Sequence, residues 1–387
     1  MPKHIHTKTQ KTVNLALQGG GAHGAFAWGV LDKLLEDGRI GIDGICATSA
    51  GTMNACALAW GMHKGGPEKA REALHDFWQN ISLAGKKANP VQKMPMEKLM
   101  ETLMEKFMPQ SGWMKTDDSL SYFLFDSMTR LFSPYQFNPF DLNPLRDVMA
   151  ESINFAELRE CDCVKLFISA THVHSGKVKV FNTKEIDLDV VMASACLPFL
   201  FKAVEVDGED YWDGGYIGNP ALFPLFYETD TRDVMIVHIN PMERKQTPRS
   251  AHEIMNRINE ISFNSSLLKE LRAIAFVKKL VEHSMLKDEH KDDFMDILVH
   301  SIRADDVMTD LSVASKFNSD WDFLTDLRDK GRETMAAWLK ENFEHIGVRD
   351  TVDLHAEFLN SNTKMFENHH GNHKHSRKES GLKRKTA

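Results

Sequence analysis

The distribution of apolar and polar residues in the N-terminal part of the chain predicts two consecutive strand-turn-helix units. Residues 13–17 form a short, mostly apolar run that stops at Gln18 and a glycine cluster, as expected of a buried strand followed by a tight loop. Apolar residues then recur at helical spacing: Phe26, Val30, Leu34 and Leu35. The second unit has a strand over residues 44–48, a turn at Ser49 and a helix over residues 50–62. Two such units in succession predict a parallel sheet with helices on its faces.

Further along the chain, β-branched and apolar runs predict more strands. They occupy residues 165–171, 177–181, 204–211 and 234–239. Ser175-Gly176 supplies a hairpin turn between the first two runs, and Asp207-Gly208 turns a hairpin within the third. From residue 252 to about 343 the pattern is almost wholly helical.

A stretch rich in Met and Phe interrupts these elements. One helical face carries Met100, Leu103, Met104 and Phe107. Helical core and an adaptable apolar lid for acyl chains both fit this composition, and the sequence leaves both interpretations open. The predicted organisation is a polar tail over 1–12, an α/β domain over 13–245 with the insertion at 85–145, a helical extension over 246–347, and a tail over 348–387.

Composition narrows the function classes. The 387 residues carry a net charge of −8, so bulk attraction to nucleic acid is not expected. Residues 369–387 contain six Lys or Arg and one Glu with almost no apolar residues, which predicts disorder. Each basic residue there would contribute about 1 kcal/mol of attraction to an anionic membrane surface. A peripheral membrane contact is therefore one hypothesis for this tail, although a solvated tail without a partner is favoured.

The cysteines and the hydropathy indicate a compartment. The five cysteines, at 46, 56, 161, 163 and 196, lack the spacing of a disulfide framework or a zinc site, so we expect ordinary thiols, no metal and a reducing environment. No apolar run approaches the ~20 residues that a membrane-spanning helix needs. These features favour a cytoplasmic protein, with peripheral contact to a membrane as the most that is expected.

Ser49 lies in the segment Ala47-Thr48-Ser49-Ala50-Gly51, between a predicted strand and a predicted helix. This is the context of a nucleophile elbow, in which a sharp turn exposes the serine hydroxyl near a helix N-terminus. Gly51 meets the need for a small residue on one side, and Ala47 stands where glycine is usual on the other. A serine that only caps a helix is the alternative interpretation.

The glycine cluster Gly19-Gly20-Gly21-Ala22-His23-Gly24 is the second candidate feature. Successive glycines allow backbone amides to point into one concavity at the start of a helix, which suits the oxyanion of ester hydrolysis. The same residues match the dinucleotide-binding pattern GxGxxG. That hypothesis needs an acid at the end of the second strand, where Ser49 stands, and Asp43 precedes its strand instead.

Asp213 lies in Trp212-Asp213-Gly214-Gly215-Tyr216 and would by itself be taken for a turn residue. In this order, however, the glycine loop, the serine elbow and the Asp-Gly-Gly segment resemble the motifs of patatin-like phospholipases. Ala193-Ser194-Ala195-Cys196-Leu197-Pro198 and Asn219-Pro220 resemble two further blocks of that family. The resemblance covers about residues 13–241. A later set of residues is similar to the helical extension of a bacterial branch: Ser315-Lys316-Phe317-Asn318, Trp321, Gly331-Arg332 and Trp338-Leu339.

The resemblance implies a three-layer α/β/α sandwich with a mostly parallel central sheet, plus a helical C-terminal extension. It implies a catalytic dyad without histidine or cofactor, in which Ser49 is the nucleophile and Asp213 its general base. Gly19, Gly20 and Gly21 would form the oxyanion hole, with His23, Gly24, Ala47, Gly51, Gly214 and Gly215 as supporting motif residues. The family usually has Arg or Lys where His23 stands, so we expect His23 to make activity sensitive to pH.

The expected function is hydrolysis of a phospholipid, lysophospholipid or glyceride ester through an acyl-enzyme. A thioesterase or polyester hydrolase would use the same dyad, and a non-catalytic lipid-binding protein is the alternative from another class. His172 and His174 follow a predicted strand and would suit a conventional triad, but nothing in the sequence ties either to Ser49.

Overall fold

One mixed sheet organises the protein. The computed structural model describes residues 11–88, 133–244, 246–282, 295–311 and 314–359. The strands are β1 Lys11–Leu17, β2 Ile40–Ala47, β3 Lys165–His172, β4 Val178–Asn182, β5 Val204–Val206, β6 Glu209–Asp213, β7 Asp233–Val237 and β8 Leu298–Ile302. The helices are α1 Gly24–Asp37, α2 Ala50–Gly65, α3 Pro67–Ala88, α4 Pro134–Phe137, α5 Pro144–Ser152, α6 Phe155–Leu158, α7 Leu188–Ser194, α8 Phe223–Glu228, α9 Ala251–Glu282, α10 Asp305–Met308 and α11 Trp321–Asn342.

The strand order is β5-β6-β3-β2-β1-β7-β8, and β4 pairs with β3. β3, β2, β1, β7 and β8 are parallel to one another, whereas β4 and β6 pair with β3, and β5 pairs with β6, in antiparallel fashion. The central strands are buried on both faces, which explains why β7 is apolar at almost every position rather than alternating. Both hairpin turns predicted from the sequence are confirmed, with Gly176 and Asp207-Gly208 at positive φ.

Two apolar cores lie on opposite faces of the sheet. Successive residues of a strand point to opposite faces, so Leu15 and Leu17 belong to one core and Ala16 to the other. The first core is closed mainly by α1, α2, α3 and α11, and the second by α8 and α9. The predicted three-layer α/β/α sandwich is therefore confirmed.

The C-terminal part of the chain is not an independent helical appendage. β8 pairs in parallel with β7 and extends the sheet, so the expectation of an almost wholly helical segment was wrong at residues 298–302. α11 crosses α1 where two glycines meet: an added Cβ on Gly29 would overlap Arg328 O, and one on Gly331 would overlap Phe26 O. Because Gly29 and Gly331 have no side chains, the backbones of α1 and α11 approach each other unusually closely at this crossing.

The structure corrects the expectation for two cysteines, and the expectations for the insertion and the basic tail concern residues that it mostly does not describe. Cys161 and Cys163 form a disulfide, where the sequence suggested ordinary thiols. Most of the Met-rich insertion, at residues 89–132, and the basic tail from residue 360 lie outside the described residues. Among the helices in the described ranges, none is long and apolar enough to cross a membrane.

Candidate functional site

Ser49 occupies a sharp turn between β2 and α2. Its φ of 54° and ψ of −123° are unusual for a residue with a side chain, and such strain persists only where the surroundings impose it. β2 ends at Ala47 and α2 begins at Ala50, so the turn contains only two residues. An added Cβ on Gly51 would overlap Leu17 O, which explains why a side chain is excluded there. The local geometry is that of a nucleophile elbow.

Asp213 reaches Ser49 because two strands approach the same edge of β3 from opposite ends. β2 runs parallel to β3 and ends with Ala47 opposite Ile168, whereas β6 runs antiparallel and ends with Asp213 opposite Ala170. β4 occupies the other edge of β3 over this region, since its register overlaps both. The ends of β2 and β6 therefore meet beside Ser169, and the residues after them converge.

The carboxyl group of Asp213 is fully buried and only partly bonded. Its Oδ1 accepts a hydrogen bond of 2.7 Å from the Gly215 amide. Its Oδ2 has no partner of hydrogen-bonding geometry among the residues described. The Ser49 hydroxyl is nonetheless close enough to lower the pKa of Asp213, although burial dominates and raises that pKa to about 6. The two side chains are thus close to each other but do not meet the geometry of a hydrogen bond.

Ser194, which belongs to the block 193–198 noted in the sequence, holds the backbone of the elbow through hydrogen bonds. Its Oγ accepts a hydrogen bond from the Ser49 amide at 3.0 Å and donates one to Ser169 O at 2.8 Å. Thr52 Oγ1 lies 2.9 Å from the same oxygen. Because Ser194 has a single hydroxyl proton, which goes to Ser169, Thr52 is the donor in that pair. All these groups are buried, so the network holds the backbone of Ser49 rigidly.

The glycine loop lies directly against Ser49. An added Cβ on Gly19 would lie 2.6 Å from Ser49 Cβ, so only glycine permits this approach. The Gly19 amide donates to Asn219 Oδ1 at 2.7 Å and is not available to a substrate. In the described part of the chain, the amides of Gly20, Gly21 and Ala50 have no acceptor. The glycine loop and the first residue of α2 thus carry three uncommitted backbone donors close in sequence to Gly19 and Ser49.

Buried amide side chains hold this loop in place. Gln18 Oε1 accepts from the backbone amides of Ile239 and Asn240, at 2.9 and 3.1 Å. Asn240 Nδ2 donates to Gly19 O at 2.9 Å. Sequence reasoning did not assign a role to Gln18 or Asn240, and the only available signal was an amide directly after a predicted strand in each case, at residues 13–17 and 234–239.

His23 is buried and stays neutral. Burial, reinforced by the charge of Lys316, lowers the pKa of His23 to about 3. Its Nε2 lies 2.7 Å from Ser315 Oγ. The pH sensitivity that the sequence suggested for His23 therefore has no basis, and Asp213 is the group of this site that titrates closer to neutrality.

The two histidines considered for a triad lie elsewhere. His172 Nε2 is 2.8 Å from Glu209 Oε2, and His174 Nδ1 is 3.3 Å from the same oxygen. Neither bonds to Ser49, so a conventional triad is not assembled. The three side chains place potential metal-ligand atoms within 4.8 Å of one another, and two of the three are exposed.

The dinucleotide hypothesis also lacks support. Asp43 lies within β2, and its Oδ2 accepts a hydrogen bond from the Asp230 amide at 2.7 Å. Asp43 is thus bound in the first half of β2, whereas the Ser49 elbow follows the C-terminal end of that strand. The acid that would hold a ribose at the end of β2 is replaced by the Ser49 elbow.

An α/β/α sandwich with a strand-serine-helix elbow is an architecture shared by acyl hydrolases. The profile of the family described as Patatin-like phospholipase matches residues 15–226, more than half of the chain. The chain belongs to the patatin-like phospholipase family.

The chain is similar to VipD from Legionella pneumophila, with 14% identity and a TM-score of 0.39 over 90% of this chain and 73% of VipD. It is also similar to ExoU from Pseudomonas aeruginosa, solved as the ExoU–SpcU complex, with 14% identity and a TM-score of 0.35 over 86% of this chain. The chain spans about half of ExoU, 52% of its length. No match was found among curated protein sequences.

Proposed function

We propose that this protein hydrolyses lipid esters through an acyl-enzyme formed on Ser49, with Asp213 as the general base. The observation that carries the proposal is the buried carboxyl group of Asp213, which has one oxygen without a partner among the described residues and lies close to the hydroxyl of a strained elbow serine. A buried carboxyl oxygen without a partner is costly to the fold, so its retention next to a hydroxyl favours a chemical role.

In the first half-reaction, Asp213 Oδ2 takes the proton of Ser49 as Ser49 Oγ attacks the acyl carbonyl carbon. The tetrahedral intermediate then expels the alcohol, which receives that proton from Asp213. In the second half-reaction, Asp213 takes a proton from water, the resulting hydroxide attacks the acyl-enzyme, and the fatty acid leaves as Ser49 regains its proton. One carboxyl group thus serves as base and acid in turn.

The oxyanion of each intermediate needs hydrogen-bond donors that are fixed before the reaction starts. Gly20 and Gly21 supply two free amides, and the Ala50 amide, which sequence reasoning did not include, supplies a third at the N-terminus of α2. Because the Gly19 amide is bound to Asn219, we assign Gly19 to close packing against Ser49 rather than to the oxyanion hole.

Membership of the patatin-like phospholipase family supports a lipid ester as the substrate. A thioester or polyester would be attacked by the same atoms. Non-catalytic lipid binding is the remaining alternative, and it gives no reason for the strained φ of Ser49 or the unpaired carboxyl oxygen of Asp213.

The decisive experiment compares Ser49→Ala and Asp213→Asn with Ser262→Ala, an exposed serine of α9 that serves as the matched control. Each variant is assayed on p-nitrophenyl esters of graded chain length, thioesters and a phospholipid panel, and is labelled with a fluorophosphonate. We expect both site variants to lose turnover by more than a thousandfold, on the order of what loss of a catalytic unit costs. Both should also lose labelling at residue 49, Ser49→Ala because the nucleophile is gone and Asp213→Asn because the base that activates it is gone. Hydrolysis by Ser49→Ala at the wild-type rate would rule out the mechanism, and bound lipid without turnover in the wild type would favour the binding protein.

A further inference from the structure

Lys316 lies next to the candidate site although it comes from the C-terminal part of the chain. It belongs to a 3-10 turn, Ala314–Phe317, far beyond residue 226, where the family match ends. An added Cβ on Gly21 would overlap the backbone oxygen of Lys316. The turn that carries Lys316 is therefore packed against the glycine loop. Gly21, the residue in contact, has a positive φ.

The ammonium group of Lys316 points inward and is held by the same amide network as the loop. Lys316 Nζ donates to Asn240 Oδ1 at 2.9 Å, and Asn240 Nδ2 donates to Gly19 O at 2.9 Å. Nζ also lies 5.4 Å from the centre of the Phe263 ring, within the range of a cation–π contact. An added Cβ on Gly215 would overlap that same ring. Lys316 thus lies between the glycine loop and the Asp213-Gly214-Gly215 turn.

The charged and titratable groups around Lys316 come from three elements. Asp213 is the last residue of β6, Glu260 lies in α9, and His23 lies in the turn before α1. Glu260 is already paired with Arg244 and with Arg257, at 3.1 Å for the latter, and His23 is neutral. Asp213, whose pKa the charge of Lys316 lowers, has no such ion pair with any residue that the structure describes. Lys316 is the one cation among the described residues whose charge lowers the pKa of Asp213.

We propose that Lys316 is the positioning cation of the active site: it holds the glycine loop through Asn240 and favours the ionised, proton-accepting form of Asp213. This inference rests on the proposed function. It means that the C-terminal segment completes the catalytic centre, since β8 and α11 bring the turn of Lys316 into place on either side. A protein cut after the family-matching region would lack this charge.

The titration of Lys316 itself supports this role. Burial lowers the pKa of Lys316 to about 8, while the charges of Glu260 and Asp213 oppose that shift. Cys196 and Tyr216 also face Asp213, and burial raises the pKa of each to about 12, so neither changes charge between pH 5 and pH 9. The expected pH profile is bell-shaped, with activity lost as Asp213 gains a proton at low pH and as Lys316 loses one at high pH.

The test compares Lys316→Met and Lys316→Arg with Lys330→Met, an exposed lysine of α11 paired with Glu333. The full chain is used, and kcat and KM are measured on the best p-nitrophenyl ester from pH 5 to pH 9.5. In Lys316→Met we expect kcat to fall by about tenfold or more, KM to change far less, and the acidic limb to move to higher pH. Lys316→Arg should keep the acidic limb and lose the alkaline one, because arginine stays charged throughout. Lys330→Met should match the wild type.

A purely structural role gives a different result. If Lys316→Met lowered activity only in proportion to its folded fraction and left the acidic limb unmoved, the proposal would be wrong. Should Lys316→Met fail to fold, Lys316→Arg still decides, because an unchanged alkaline limb in that variant would overturn the proposal.

The charge coupling can also be measured without turnover. A double-mutant cycle of Lys316→Met and Asp213→Asn, followed by urea unfolding at pH 7, should give a coupling clearly different from zero. A coupling of zero would overturn the proposal even in an inactive protein. Loss of the proposed function is recognised separately, since the wild type would then show no hydrolysis that depends on Ser49.

Discussion

Ser49 and Asp213 lie close together because β2 and β6 pair with the same edge of β3 and end facing each other. Ser49 follows the end of β2, and Asp213 is the last residue of β6. Ala47, two residues before Ser49, is opposite Ile168, and Asp213 is opposite Ala170. The one β3 residue between these pairs, Ser169, binds Ser194 through its carbonyl oxygen and so fixes the elbow as well. The relative position of the two side chains is thus set by sheet register, which resists distortion more strongly than a loop contact would.

The acidic limb of the pH profile is expected to follow Asp213. Only the carboxylate accepts a proton, so activity should fall as the pH drops through about 6, the pKa to which burial raises this group. The profile of kcat/KM between pH 4.5 and pH 8 measures this. His23→Gln is the control, and it should leave the limb in place because the pKa of His23 is about 3. A limb that disappeared in His23→Gln would assign the titration to the histidine instead.

Asp213→Asn is expected to stabilise the fold while it abolishes activity. The folded-state pKa of about 6 exceeds the ordinary value of 3.8, so the native state binds the proton more tightly and stability declines as the pH rises between these values. Above pH 6 the full penalty applies, on the order of 1–3 kcal/mol, and below about pH 4 it vanishes. Urea unfolding at pH 4 and pH 8 should show a gain for Asp213→Asn only at the higher pH. An equal effect at both would contradict the raised pKa.

Ala47→Gly tests whether the departure from the usual glycine disables the elbow. Ala47 is fully buried within the core on the α1 face of the sheet. Its methyl group is accommodated there, so turnover should stay within about twofold of the wild type. Stability should fall by about 1–2 kcal/mol, from a larger unfolded-state entropy and the loss of a buried methyl group. Steady-state kinetics and urea unfolding check both parts. A rise in turnover by orders of magnitude would instead identify a damaged hydrolase.

Gly331→Ala tests how the C-terminal segment is anchored. An added methyl would overlap Phe26 O in α1, so the helices must separate, at a cost of about 1–3 kcal/mol. Separation should also loosen the turn of Lys316, which precedes α11, and reduce kcat. Gly65→Ala is the control, because it lies at the exposed end of α2 and would meet mainly the flexible side chain of Lys69. Thermal unfolding and kinetics of both variants provide the comparison, and equal stability of the two would argue against a tight helix crossing.

The sequence by itself determined the local features of the site. The Ser49 elbow, the glycine loop and the Asp207-Gly208 hairpin each depend on backbone conformations or close approaches that few residue types permit. Such requirements are satisfied within a few consecutive residues, so they leave a pattern that can be recognised without knowing the fold. The periodicity of the strands and helices predicted the layered architecture for the same reason.

Only the tertiary structure decided which distant residues join the site. Asn240 and Lys316 reach the glycine loop through sheet order and helix packing. An amide after a predicted strand and a lysine in a family-like block do not by themselves indicate that contact. β8 was missed because a run of five residues in a mostly helical stretch does not distinguish a strand from a helix turn; its strand conformation comes from pairing with β7. The ionisation of His23 depends on burial rather than on residue type, and burial is created by all the packed elements together. Local steric requirements can therefore be predicted from the sequence, whereas the charges that act on Ser49 are set by contacts between segments far apart in sequence.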